Sequence, residues 1–417
     1  MITRIEARNF RCLRHISQEL GEFQVLVGPN ASGKSTFLDV LAFLNRLVVD
    51  GVDQAVAERG SIHDLLWGRE GDRFELAIEA TVPQEVRRPL HLFTGGRADA
   101  IRYEVAVGLD ANGAARILDE RVLLTSKEAR TASAPTADGR ETLFTPRTDP
   151  YWCSLAERTK PGGEYALYPE SFDPARPDES SYQIIYRPTG KRPIFGSLSQ
   201  VEFPTAIWLE SVLMSSVIRV NLQPEALRVP AKPGQGDAFC GTGANFPWLV
   251  EVLARRKPEV FRDWLGHVQT ALRDVSGMRV VERPEDRHRY LMVQYANGLE
   301  VPSWALSEGT LCLLALTFLA YWSQPGCIYL IEEPESHIHP LNLEPIIQSL
   351  SSVYDGQVLV STHSPSVLSM LELPQVLVFG RDPAAGVAIV RGQDHPRLRD
   401  WKREVSLGTL FGSGVLG

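Results

Sequence analysis

The nine residues Gly28-Pro-Asn-Ala-Ser-Gly33-Lys34-Ser35-Thr36 fit the spacing GxxxxGK[ST]. Glycines in such a loop let backbone N–H groups curl around phosphate oxygens, and a helix starting at its end adds partial positive charge. Gly28, Asn30, Ala31, Ser32, Gly33 and Thr36 would form the cradle. Lys34 would reach the β- and γ-phosphates, and the Ser35 hydroxyl would ligate Mg²⁺. Context matters as much as the pattern. An apolar strand, Glu22–Val27, precedes the loop, and Phe37, Leu41, Leu44 and Val48 follow it at i, i+4, i+7 and i+11, one face of a helix.

A second constellation lies far downstream. Cys327-Ile-Tyr-Leu-Ile-Glu332-Glu333-Pro-Glu335 is an apolar strand delivering adjacent carboxylates to its C-terminal end, the edge where open α/β sheets bind ligands. Glu332 is the candidate to hold Mg²⁺, and Glu333 the candidate base that polarises an attacking water. Without a phosphate loop in the same chain, such a pair would read as a solvated turn. Another apolar strand, Val358-Leu-Val-Ser-Thr362, ends at His363, whose imidazole could sense a γ-phosphate and orient water. Leu306-Ser307-Glu308-Gly309-Thr310 opens a strongly apolar helix. Ser307 is a natural N-cap, and a Ser-x-Gly at a helix start is equally a phosphate receptor; the sequence leaves both open. His337 and His339 sit at i, i+2, do not share a helix face and have no cysteine beside them. No zinc site is expected there.

These residues need a scaffold to bring them to one edge. The first 50 residues read as strand, strand, loop, helix, with Ile2, Ile5 and Ala7 in an extended start; strands follow at Phe74–Val82 and Ile101–Leu109. Residues 131–200 are dense in Pro, Gly, Ser and Thr and lose apolar periodicity, which predicts an irregular insertion or lid. Residues 205–275 read as helical, with a Gly-rich break at 234–243. From 279 onward, strands near 290–295, 327–332, 357–361 and 375–379 alternate with helices. That alternation predicts an α/β fold with a largely parallel sheet.

Composition narrows the field. At 417 residues the chain is long enough for two or three domains, and its formal net charge of −8 argues against a protein that coats nucleic acid non-specifically. A local basic patch stays open. The longest apolar stretch, Leu311–Trp322, falls short of the ~20 residues that span a bilayer. The opening MITRIEARNFRCLRH has no apolar core of signal-peptide type. Five scattered cysteines (Cys12, Cys153, Cys240, Cys312 and Cys327) contain no CxxC pair, so neither a disulfide framework nor a zinc cage is expected. The chain reads as cytoplasmic, with no membrane partner.

Taken in order, these pieces resemble an ABC-type ATPase head of the SMC/RecF/OLD group. Ile5-Glu-Ala-Arg-Asn-Phe-Arg11 resembles the opening strand of that group and GPNASGKST its Walker A. LSEGT resembles the ABC signature, CIYLIEEPE the Walker B, and VSTHSP the switch-histidine region. EEPESHIHP is similar to the OLD-like Walker B and D-loop, with His339 where transporters carry aspartate. There are departures. Glu308 replaces a glycine, Glu332 replaces the usual aspartate, and no glutamine marks a Q-loop clearly, Gln54 and the stretch Glu58–Asp72 being candidates. SMC-type coiled coils and the OLD nuclease module have no counterpart.

The resemblance implies an ABC-ATPase-type P-loop fold with a mixed or parallel sheet, a helical lobe and an irregular insertion. On that basis 1–130 would be the N-terminal part of the head, 131–200 the insertion and 201–278 the helical lobe. The C-terminal part of the head would be 279–392, and 393–417 a tail that could dock a partner. The resemblance also implies ATP and Mg²⁺ as cofactors and Arg11 among the nucleotide contacts. It further implies a head-to-tail homodimer, or higher oligomer, in which Ser307 and Gly309 of one chain face ATP on the other. The leading expectation is an ATPase that regulates a partner effector, nuclease or toxin-like, in anti-phage defence. The alternative is a RecF-like ATPase binding DNA directly through Arg4, Arg8, Arg11 and Arg14, or through Arg283, Arg287 and Arg289. A transporter subunit has only fold analogy behind it.

Overall fold

Three strands open the chain: β1 (Ile2–Phe10), β2 (Leu13–Glu19) and β3 (Phe23–Val27). In the computed structural model, residues 1–87, 98–126, 142–146, 152–158, 164–170, 184–186, 190–322, 324–382, 386–398 and 405–414 are described. The chain forms two compact units. The first comprises Met1–Gly21, Asn30–Val217 and Gly380–Ile389; the second comprises Glu22–Pro29, Ile218–Phe379 and Val390–Gly417.

The first unit is built on an antiparallel sheet. After β3 come β4 (Arg73–Thr81), β5 (Ala100–Leu109), β6 (Ala115–Thr125), β7 (Cys153–Arg158), β8 (Tyr165–Leu167) and β9 (Ile184–Tyr186). The sheet order is β2-β1-β4-β5-β6-β7-β8-β9, with every pairing antiparallel. The helix Lys34–Asp50 packs on it through Phe43, whose ring lies 5.8 Å from Phe10 and 5.3 Å from Phe74. All four residues of the expected helical stripe, Phe37, Leu41, Leu44 and Val48, are buried. Strand β5 is buried on both faces, and its polar residues are paired internally. Arg102 donates to Glu104 at 2.6 Å, Glu79 at 3.0 Å, Glu6 at 2.5 Å and the Leu143 carbonyl at 3.1 Å. On β6, Glu120 accepts from the hydroxyls of Tyr103 and Tyr165 and from the Ile194 N–H. Burial raises its carboxyl above the usual range, outweighing those hydrogen bonds.

The second unit carries the parallel sheet. Its strands are β10 (Val217–Val220), β14 (Ile328–Glu332), β15 (Gln357–Thr362) and β16 (Val376–Asp382), together with β3. Between them in sequence lie β11 (Val275–Glu282), β12 (Arg289–Tyr295) and β13 (Glu300–Pro302). The six-stranded order is β10-β14-β15-β3-β16-β17, with β17 at Gly386–Arg391, and β14, β15, β3 and β16 pair in parallel. Helix Glu308–Trp322 is apolar nearly all round and buried from Leu311 to Leu319. Phe246 and Trp264 meet its Phe318 ring edge to face, and the Trp264 indole N–H donates to Thr317 of the same helix at 3.1 Å.

Two expectations need correcting. The strand at 290–295 does not join the parallel sheet: it is the middle of an antiparallel β11-β12-β13 meander. Its connections, 283–288 and 296–299, are too short for the crossover that a parallel pair requires. Within 131–200, the short strands β7, β8 and β9 extend the first sheet. Most of the rest of that stretch, and the tail residues Trp401 and Val415, lie outside the described residues. Among the described residues no helix is long and apolar enough to cross a membrane.

Candidate nucleotide site

The phosphate loop begins where β3 ends. Phe23–Val27 is wholly buried because parallel partners flank it on both sides, so its C-terminal end delivers Gly28 to the sheet edge. Ala31 takes φ +60° and Gly33 φ +100°, left-handed conformations that turn successive N–H groups inward. At Gly33 a Cβ would stand 2.7 Å from Val387 Cγ2 and 3.3 Å from Cys12 Sγ, so glycine is required twice over. Helix Lys34–Asp50 starts with no side-chain cap hydrogen bond and no acid in its first turn, the arrangement that suits an anion at a helix N-terminus. Ser32 Oγ is buried with no hydrogen-bond partner among the described residues, and Lys34 is buried as well. An orphaned hydroxyl beside uncapped helix donors is what a phosphate would complete. The residues present therefore fit a nucleotide.

Alongside the loop, the Cys12 thiol donates to Thr36 Oγ1 at 3.2 Å, and Arg11 is ion-paired with Asp39 of the same helix. Arg11, Cys12, Trp67, Arg381 and Val387 line a cavity of about 630 Å³. Sequence reading singled out Arg11 but missed Trp67, which carries the Arg14 guanidinium 5.1 Å from its ring centre. Gln54 lies exposed on the short helix Val52–Ala57.

In the second unit the parallel strands bring the downstream candidates together. Glu332 closes β14 in register with Ser361 of β15. Glu333 follows in a left-handed conformation, φ +47°, with its N–H on the Ser361 carbonyl at 2.8 Å. That turn sets Glu333 Oε1 at 3.9 Å from His363 Nε2. Glu332 is ion-paired with Arg219 of β10, a residue 113 positions away that no local sequence signal marks. Arg219, Asn221, Cys312, Glu332, Glu333 and His337 line a cavity of about 440 Å³. Burial pushes the Cys312 thiol up to about 11, with the Glu308 carboxylate adding to the shift.

Ser307 caps helix Glu308–Trp322, its Oγ accepting the Thr310 N–H at 3.1 Å. Gly309 packs so closely on the turn after β14 that a Cβ would stand 2.6 Å from the His337 carbonyl oxygen. Glu308 pairs with Arg228 at 3.3 Å and with His337 at 3.2 Å. The signature segment is thus tied to the carboxylate-bearing turn. The arginines considered for DNA binding are largely engaged locally: Arg4 with Glu19 and Glu79, Arg283 with Asp286, Arg287 with Glu282, and Arg289 with Glu251 and Glu282.

The fold is that of an SMC-type ATPase head. It is similar to a crystal structure of an SMC head bound to the C-winged helix domain of ScpA, at 16% identity and TM-score 0.53, covering 94% of this chain and 97% of that one. An SMC head with extended coiled coil from Pyrococcus furiosus, bound to the C-terminal domain of ScpA, matches at 13% identity and TM-score 0.45. There the alignment covers 94% of this chain and 96% of that one. No curated protein matches. Residues 23–369 match the family described as "AAA domain, putative AbiEii toxin, Type IV TA system", and the chain belongs to that family.

Proposed function

We propose that this chain binds MgATP and hydrolyses it. One observation carries the reading: the strained Glu333 turn at the end of β14, which holds a carboxylate opposite His363 at the end of the neighbouring parallel strand. Strain kept at such a position costs of order 1–3 kcal/mol and persists where function needs the geometry. In this reading the loop N–H groups, Ser32 and Lys34 bind the phosphates. Ser35 and Glu332 would hold Mg²⁺, which supplies neutralisation of phosphate charge when bound. For that, Glu332 must exchange its Arg219 partner. Glu333 takes the proton from water while His363 orients it.

Dimerisation around ATP belongs to the same proposal. Ser307 and Gly309 would face nucleotide bound by a second chain, and the closed state would act on an effector protein, nuclease or toxin-like. The toxin–antitoxin description of the family, and an SMC head found bound to ScpA, support a partner-regulating role. Direct DNA clamping has no such support, because so many of the candidate arginines already serve carboxylates.

The test is phosphate release by the purified chain. Glu333→Gln is expected to keep ATP binding and lose roughly 10²–10⁴-fold in kcat. Turnover equal to wild type would remove Glu333 from the mechanism.

A further inference from the structure

Strands β14 and β15 share their last backbone tie at Glu333 N–H to Ser361 C=O, 2.8 Å. Beyond it the two strands separate, one turning through Glu333–Ser336 and the other through Thr362–Ser364. Besides the longer Glu333–His363 approach, the Glu335 side chain bridges the gap by hydrogen bonds. Glu335 Oε1 accepts the Thr362 hydroxyl at 2.5 Å and the His363 N–H at 3.1 Å. Thr362 is fully buried, and its Oγ1 accepts the Ser364 N–H at 2.9 Å. Ser364 in turn caps the helix Pro365–Leu368. One carboxylate oxygen therefore fixes the whole turn that presents the histidine.

The other oxygen deepens the case. Glu335 Oε2 is shielded from solvent and has no hydrogen-bond partner among the described residues. The carboxylate is thus anchored to nothing described except the histidine's turn. A half-satisfied buried acceptor costs free energy, and a hydroxyl–amide pair could be joined by an uncharged side chain at lower cost. From this geometry we propose that Glu335 is a positioning residue for ATP hydrolysis: it acts through His363, holding its turn so that the imidazole stands opposite Glu333. The inference rests on the ATPase reading above and adds a residue to it.

The experiment compares the full-length wild type with Glu335→Ala, Glu335→Gln, His363→Ala and the double variant Glu335→Ala/His363→Ala. Steady-state phosphate release gives kcat and KM, and the amide spectrum of the nucleotide-free protein gives the His363 N–H shift. Glu335→Ala is expected to lower kcat about 10- to 100-fold, as misplacement of a reacting group does, with KM changed by less than about threefold. Glu335→Gln retains an acceptor oxygen and should recover much of that loss. The double variant should be no slower than His363→Ala alone, because the two residues act as one unit. The His363 amide proton should move upfield in Glu335→Ala as its hydrogen bond is lost. If Glu335→Ala does not fold, Thr362→Val removes one of the two bonds to Glu335, together with the acceptor of the Ser364 N–H, and should lower kcat in the same direction with KM again little changed. An active wild type with Glu335→Ala at full kcat, or with losses that multiply in the double variant, overturns the proposal. A wild type without turnover overturns the ATPase reading itself.

Discussion

At the scale of single residues, the site is recognisable by where the backbone departs from comfortable geometry. Glu333 adopts φ +47°, a conformation that costs an L-residue roughly 1–2 kcal/mol and that glycine adopts freely. Glu333→Gly should therefore unfold at higher denaturant, by about 0.5–1 kcal/mol after the extra chain entropy of glycine is subtracted, while losing turnover. Urea unfolding followed by fluorescence checks this. A less stable Glu333→Gly would show that the turn is not strained. Gly33 makes the opposite case, since any side chain there meets Val387 within 2.7 Å. Gly33→Ala is expected to lose nucleotide binding measured by calorimetry, with the loss set by displacement of the loop rather than by missing donors.

At the scale of elements, the buried charge cluster on β1, β4 and β5 makes its own prediction. Burial works to raise the Glu6 carboxyl, but Arg102 and the Ser17 hydroxyl hold it below its ordinary 4.5. A carboxyl depressed in the folded state contributes stability above its unfolded pKa and loses it as pH falls through the folded value. Glu6→Gln should thus be clearly less stable than wild type at pH 7, and the gap in melting temperature should narrow below about pH 4.5. Arg102→Ala would take the shared cation from three buried carboxylates, of which, among the described residues, Glu79 alone keeps a direct ion pair, with Arg4, and should cost about 3–5 kcal/mol. These elements also show what sequence could reveal. The loop, the two acidic positions and His363 were legible because each ends a short apolar strand, and the parallel sheet followed from their alternation. Strand ends fell within a residue or two of Phe23–Val27, Arg73–Thr81 and Ala100–Leu109. The meander was misplaced because β12 has the same alternating pattern whichever sheet it joins. Arg219 and Glu335 escaped because nothing local distinguishes an arginine or a third acid whose partner is set by tertiary contact.

At the scale of the whole molecule, the proposed dimer can be tested without seeing it. Ser307→Arg and Lys34→Ala are each expected to be inactive, since each damages one half of a site completed by two chains. Mixed in equal amounts, they should regain about a quarter of wild-type turnover, half the dimers carrying one intact site. A mixture with no activity would refute composite sites. The chain's route through its two units has a further consequence, for its birth at the ribosome. Strand β3 is complete by residue 27, yet its parallel partners are residues 357–362 and 376–378, and Val25 pairs with Val360. At roughly 5–20 residues per second, the nascent chain spends about 20–70 s with this apolar strand synthesised and its neighbours not yet made. The five residues that later seat the phosphate loop are, for that interval, an unpaired sticky edge. Translation speed and access to a holdase chaperone should therefore govern how much of this protein reaches its folded state.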